Sequence, residues 1–156
     1  MESPFFKKII SIEEWKSVAK DIGELFIEDN EKFGHAHDLK HDADLITKSL
    51  SHESLLIWNI HVWSHFNGEK WDAIFIGIIR KSEKFNKKVM DEYLWLSKNP
   101  KAGFKLYKLA EKYAKEQGCE YISMNVVENH PLSEKIKSLY KKLDFKKDCE
   151  TYMKKL

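Results

Sequence analysis

Between Leu55 and Leu96 the chain places three strand-like runs in succession, and no other stretch restricts its fold as much. LLIWNIHVW, from Leu55, leads to Asn67-Gly68, and WDAIFIGII follows. Asn-Gly tolerates the positive φ that tight hairpins demand, so two paired strands are expected there. Lys81 to Lys88 is a second polar turn, and VMDEYLWL, Val89 to Leu96, is the third strand. Consecutive strands with short turns predict an antiparallel meander. With 156 residues there is room for one core and not comfortably for two, so residues 1–156 are read as a single domain.

Phe5 to Ile10 is a short apolar and β-branched run, a strand candidate, and Ser11-Ile-Glu-Glu14 then has the capping-box pattern. Ile12, Trp15, Val18, Ala19, Ile22, Leu25 and Phe26 recur at helical spacing, which predicts a helix to about Ile27, broken by EDNEK and Gly34. His37 to Leu50 carries a weaker helical pattern through Leu39, Ala43, Ile46 and Leu50. Beyond the meander, an amphipathic helix ends at Gly118, and YISMNVV, Tyr121 to Val127, reads as a strand. Pro131 favours a helix start, with Leu132, Ile136, Leu139, Tyr140 and Leu143 as its apolar stripe. Phe145 to Leu156 can supply a final strand. The order βα, α, βββ, α, β, α, β gives an α/β (α+β) fold.

Lys and Arg number 27 against 25 Asp and Glu, a net charge of +2, so neither a strongly electrostatic nucleic-acid binder nor a membrane-surface protein is expected. Arg80 is the only arginine, which leaves almost no bidentate clamp for phosphate or carboxylate. Cys119 and Cys149 form neither a disulfide framework nor a metal knuckle. Without a signal-like apolar segment or a run near the ~20 residues that span a bilayer, the expected location is the cytoplasm.

Ser97 to Gly118, SKNPKAGFKLYKLAEKYAKEQG, joins a strand to a helix through a loop bearing Gly103. Such a junction is either a tight connection or a phosphate cradle, in which backbone N–H groups and the helix dipole meet an anion. Context favours the second. The segment, the strand after it, and SLYKKLDF together resemble the GNAT superfamily of acetyl-CoA-dependent N-acyltransferases. Gly103 falls on the last glycine of the family's Arg/Gln-x-x-Gly-x-Gly/Ala loop, Leu106 and Tyr107 on its apolar pair, and Leu139 to Phe145 on its Leu-Tyr-x-Lys-Leu-Gly-Phe element. The resemblance covers about the last hundred residues. Lys98, Lys101 and Asp144 depart from the usual arginine or glutamine, first glycine and later glycine, Ser133 stands where asparagine is frequent, and Pro100 removes one amide donor.

The resemblance implies a GNAT-like mixed, mostly antiparallel central sheet, splayed between the fourth and fifth strands, with helices on both faces. It implies acetyl-CoA as cosubstrate and direct transfer of acetyl to a primary amine in a ternary complex, with no metal. Pantetheine would pair with the main chain of Leu94, Trp95 and Leu96, and the pyrophosphate with Lys98, Lys101, Ala102, Gly103, Phe104 and Lys105, with Ser133 nearby. Tyr140 would be the acid for the departing thiolate and Glu92 the base, with Asp91 on the opposite strand face. A solvated strand carboxylate remains the other reading of Glu92. The implied acceptor is an amine-bearing small molecule or protein, and homodimers are common in the family.

HAHDLKHD places His37 and His41 on one helix face, a zinc-compatible spacing without an evident third ligand; a polar face or acceptor-side loop is the ordinary reading. Trp58, Trp63, Trp71, Phe66 and Phe75 read as strand packing or an acceptor pocket, and His61 and His65 share the Trp63 face. His130 reads as a cap and Cys119 as a small buried thiol. Two alternatives stay open: a catalytically inactive GNAT-like protein that binds CoA or a partner, and an RNA-binding α/β module.

Overall fold

The structure, a computed structural model, describes residues 5–32 and 59–156. Strand backbones must find hydrogen-bond partners, and here they pair in chain order. β1 (Phe6–Ile9), β2 (Ile60–Phe66), β3 (Trp71–Ser82), β4 (Lys87–Ser97) and β5 (Tyr121–Ser123) form one sheet in the order β1-β2-β3-β4-β5. The first four are antiparallel to their neighbours, and β5 lies parallel to β4. The meander expected between Leu55 and Leu96 is therefore present over residues 60–97, and residues 55–58 lie outside the described residues. The helices among the described residues are α1 (Ile12–Lys32), α2 (Pro100–Glu116) and α3 (Ser133–Lys142). The helix expected at 37–50, the histidines His35, His37 and His41, and Trp58 lie outside the described residues.

Alternation along the strands sends apolar side chains to both faces, so each face needs a helix. Val62, Ile74, Ile76, Leu94 and Leu96 pack against Trp15, Val18, Ile22, Leu25 and Phe26 of α1. Trp63, Phe75, Ile79, Met90 and Trp95 pack against Ala102, Leu106, Tyr107, Ala110 and Ala114 of α2. Burial of each large side chain contributes about 1.5–3 kcal/mol relative to exposure. Met90 and Trp95 share a face although they are five positions apart, an odd offset that strict alternation would send to opposite faces. A bulge explains this: Ile76 faces Leu94 while Gly77 faces Glu92, which leaves Tyr93 as the extra residue of β4.

Local signals act largely as the sequence requires. The Ser11 Oγ accepts the Glu14 amide at 3.2 Å, and the Glu14 carboxylate takes the amide of Ile10 at 3.1 Å. Helix α1 runs past Ile27 to Lys32, because the charged residues after Ile27 are compatible with a solvent-facing helix even where the apolar stripe has ended. The β2–β3 connection is a four-residue loop, closed by the Asn67 Oδ1, which accepts the amides of Glu69 and Lys70 at 3.0 Å each. Gly118, at φ +78°, ends α2 in the left-handed conformation, and the Cys119 amide reaches back to the Ala114 carbonyl at 2.9 Å.

Two further expectations fail. Phe145–Leu156 forms no strand: it offers Phe145 to the α2 core, but the remainder, rich in Lys146, Lys147, Asp148, Glu150, Lys154 and Lys155, has no apolar face to hold it on the sheet. The strand expected over Tyr121–Val127 stops at Ser123, because β4 leaves its side there. Asp144, at the position of the later glycine in the motif that the chain resembles, sits at φ +63°. A side chain in that region costs roughly 1–2 kcal/mol, against about 0.5–1 kcal/mol of extra unfolded-state freedom for glycine. Asp144→Gly is therefore expected to stabilise the protein by roughly 0.5 kcal/mol, read from a chemical denaturation midpoint; an unchanged or lower midpoint would contradict it.

Candidate active site

β4 and β5 pair over only three positions, Val89 with Tyr121, Met90 with Ile122 and Asp91 with Ser123. Beyond Asp91, β4 continues to Ser97 with β3 on one side and no strand on the other among the described residues. The edge is thus a row of backbone donors and acceptors open to an extended guest chain. Asn125 stands at the point of divergence. Its main-chain N–H donates to the Glu92 Oε2 at 3.0 Å, and its Nδ2 donates to the Glu92 carbonyl at 3.1 Å and to Oε2 at 3.3 Å. Its own carbonyl accepts the Tyr140 hydroxyl at 2.8 Å. One exposed residue on the β5 side therefore touches both Glu92 and Tyr140.

Burial pushes the Glu92 carboxyl up to about 7, the donors from Asn125 pulling the other way. Burial first, then the charge of Glu92 and the neighbouring Tyr107, hold the Tyr140 hydroxyl above the ordinary tyrosine range. Asp91 is committed elsewhere, its carboxylate paired with Arg80. Tyr140 is fixed by rings: Trp95 stacks near it, with centroids 6.5 Å apart and planes at 20°, and Phe145 lies 5.2 Å away. The Trp95 indole N–H in turn donates to the Gly103 carbonyl at 2.9 Å, which ties the strand edge to the first turn of α2.

That first turn is more occupied than a phosphate cradle would be. Pro100 has no N–H, the Asn99 side chain accepts the Ala102 amide at 3.3 Å, and the Gly103 amide bonds the Asn99 carbonyl at 2.9 Å. The Lys101 amide is the one first-turn donor that neither cap nor helix takes up. A Cβ on Gly103 would meet the Ser97 Cβ at 2.8 Å and the Trp95 Nε1 at 3.5 Å, so glycine stands here because helix and strand end approach closely. Lys98 pairs with Glu28, and its amide donates to the Asp72 carbonyl at 2.9 Å. The Lys105 ammonium sits 4.1 Å over the Phe6 ring, on the β1 side. Ala102 is buried in the α2 core, and Phe104 packs beside Tyr107 with centroids 6.0 Å apart. The side chains of Leu94 and Leu96 are turned into the α1 core, which leaves only their main chain for a ligand. Ser133 is buried at the start of α3.

The described histidines, His61, His65 and His130, lie apart from this constellation. His61 packs on Tyr113, with centroids 4.8 Å apart, and bonds the Asn59 Oδ1 at 2.8 Å; burial, helped by Lys8, lowers its pKa to about 4, so it is neutral. His65 Nδ1 is 2.6 Å from Asp72, and the His130 Nδ1 accepts the Leu132 amide at 3.0 Å just before α3. Cys119 is half-buried, and burial raises its thiol pKa. No group of metal-ligating side chains occurs among the described residues, and no helix among them is long and apolar enough to cross a membrane.

Pattern reading passed over Asn125, the residue that contacts both Glu92 and Tyr140. Its signal was available, since asparagine disfavours strands and interrupts the apolar run of YISMNVV. The bulge at Tyr93 left no sequence signal, since it arises from packing across β3.

No family model and no curated protein matches the chain. Solved structures do. A ribosomal-protein-alanine N-acetyltransferase from Brucella melitensis biovar Abortus 2308 superposes with a TM-score of 0.66 at 9% identity, covering 97% of this chain and 99% of its own. An aminoglycoside acetyltransferase from an uncultured soil metagenomic sample gives 0.66 at 14% identity, over 97% of both chains. A protein described as a transcriptional regulator from Bacillus halodurans C-125 gives 0.68 at 14% identity, over 97% and 98%. At these identities the likeness is one of fold, and the fold is that of the GNAT acetyltransferases.

Proposed function

We propose that this protein is an acetyl-CoA-dependent N-acetyltransferase that passes the acetyl group directly to a primary amine. The observation that carries the reading is the parting of β4 and β5 after Asp91 and Ser123, with Glu92 and Tyr140 at its apex. The open edge of β4 suits an extended chain bearing amides, such as pantetheine, so the fit is good there. At the diphosphate end the fit rests on the Lys101 amide and the mobile charge of Lys101, with Ala102, Gly103, Phe104 and Lys105 serving as the wall behind them, and Lys98 could contribute only by leaving Glu28. Acetyl-CoA, when bound, supplies the thioester carbon that the amine attacks and the sulfur that leaves.

Glu92 is the base. A carboxyl titrating near 7 is about half ionised at neutral pH and basic enough to take a proton from the attacking amine, directly or through water. Tyr140 is the acid, its hydroxyl positioned at the gap and able to turn from the Asn125 carbonyl toward the sulfur. The two are coupled: when Glu92 gains the amine's proton, it loses the charge that opposes ionisation of Tyr140. As the C–N bond forms and the C–S bond breaks, one proton goes to Glu92 and one leaves Tyr140, and both groups reset through solvent. The acceptor is an amine on a small molecule or a protein, and a cytoplasmic setting suits the two free cysteines.

Calorimetry with acetyl-CoA, followed by thiol release against a panel of amines, tests the reading; no binding at millimolar acetyl-CoA would remove it. Tyr140→Phe is expected to lower kcat about tenfold, the scale of one lost hydrogen bond to a charged group, while acetyl-CoA affinity stays nearly unchanged. Unaltered turnover across the pH range would reject tyrosine as the acid. A binding protein without catalysis is the second reading, favoured by the occupied first turn of α2; acyl transfer to any amine would dismiss it.

A further inference from the structure

Asn125 is an unusual residue to find where two parallel strands separate. Its three donor contacts all go to Glu92, on the side chain and on the main chain, and its acceptor contact comes from Tyr140. The Nδ2 contact to the Glu92 carbonyl replaces the ladder bond that β5 would have made, so it closes the paired part of the sheet at that residue. It also fixes the carboxylate on the gap side of β4, beside the bulge at Tyr93. The groups facing Glu92 are few. Tyr140 approaches from α3, with Tyr107 of α2 behind it. β3 offers Gly77 at the facing position, and β2 offers His61, which is neutral. The Asp91–Arg80 pair occupies the opposite face. No cation faces the carboxylate among the described residues, so Asn125 is its principal polar support.

We infer that Asn125 is a positioning residue that serves both proton-transfer groups at once, holding the Glu92 carboxylate through its two N–H donors and orienting the Tyr140 hydroxyl through its carbonyl. Its role in turnover rests on the acetyltransferase reading; its control of Glu92 does not. The Nδ2 donor stabilises the ionised carboxylate, so removing it must raise the pH at which Glu92 ionises. The main-chain donor survives any substitution, which makes the effect partial. The carbonyl survives as well, so Tyr140 should keep its partner.

The test follows the Glu92 carboxyl carbon by NMR through a pH titration, with Glu92→Gln identifying the signal, in the wild type, Asn125→Ala and Asn125→Asp. The wild-type midpoint is expected near 7, the alanine variant about one unit higher, and the aspartate variant higher still because it sets a second carboxylate against the first. Turnover of Asn125→Ala at neutral pH should fall about fivefold, as the ionised fraction drops from about one half to about one tenth, and recover when the pH is raised two units. A residue that only supports the fold would show no such recovery. Identical Glu92 midpoints in all three folded proteins would overturn the inference. Should the variants not fold, the Asn125 side-chain amide signals of the wild type supply the same test. They should move with the Glu92 midpoint and stop moving in Glu92→Gln, and signals indifferent to pH would overturn the inference. A coupled titration in a wild type that transfers no acetyl group would end the enzyme reading and leave the Asn125–Glu92 linkage standing.

Discussion

Glu92→Gln is expected to reduce kcat for acetyl transfer by roughly 10²–10⁴-fold, the range that a positioned general base contributes. Glutamine keeps the shape of the side chain and its contacts with Asn125 but cannot take the amine's proton. The wild-type kcat/KM should rise with pH through a midpoint near 7, the value to which burial lifts this carboxyl, and that limb should be absent in the variant. Stability gives an independent check. The folded Glu92 holds its proton to a higher pH than the unfolded chain does, so the folded state binds more protons between about 4.3 and 7 and loses stability as pH rises through that window. Above it the cost of keeping a buried charge is fully present. Glu92→Gln removes that cost, and its denaturation midpoint should therefore depend less on pH and exceed the wild type's at about pH 8. A variant that keeps wild-type turnover would exclude Glu92 as the base.

The second large effect concerns Gly103. Gly103→Val is expected to cost about 2 kcal/mol, within the range for overpacking a tight contact, and to lower Tm by roughly 4–8 °C for a chain of this size. The added Cβ would lie 2.8 Å from the Ser97 Cβ, an atom attached to the strand end and unable to swing aside. Relief would need α2 to move off β4, which would strain the Trp95–Gly103 hydrogen bond and with it the ring that backs Tyr140. Ser97→Gly should restore part of the loss when combined with Gly103→Val, because the clash is shared between these two positions. If Tm were unchanged while acetyl-CoA affinity collapsed, the glycine would be serving the ligand and not the packing.

Gly103 stands where strand and helix meet, and the packing there requires a glycine whatever the loop binds. Its position between strand and helix was legible, and so was the likeness to a phosphate loop. What the linear pattern could not show is that Asn99, Pro100 and the helix itself take up most of the donors, or that Lys98 and Lys105 turn toward Glu28 and Phe6. Long flexible side chains take their partners from whatever tertiary packing brings near, and spacing along the chain says little about that. Glu92 and Tyr140 were legible as candidates on a strand and a helix. Their meeting through Asn125 was not.

By itself the sequence determined the elements that obey local rules. Apolar alternation from Ile60 to Leu96 set the meander, the helical stripes of α1 and α2 set one covering helix for each face, Ser11 and Glu14 set a start, and Gly118 set a stop. These depend on periodicity and backbone preference, which act over a few residues. Tertiary structure alone decided where β4 and β5 part, the bulge at Tyr93, the end of β5 at Ser123 and the loss of a strand after Phe145. Each of those follows from competition for backbone partners between segments far apart in the chain, and such a competition is settled only when all the segments are in place.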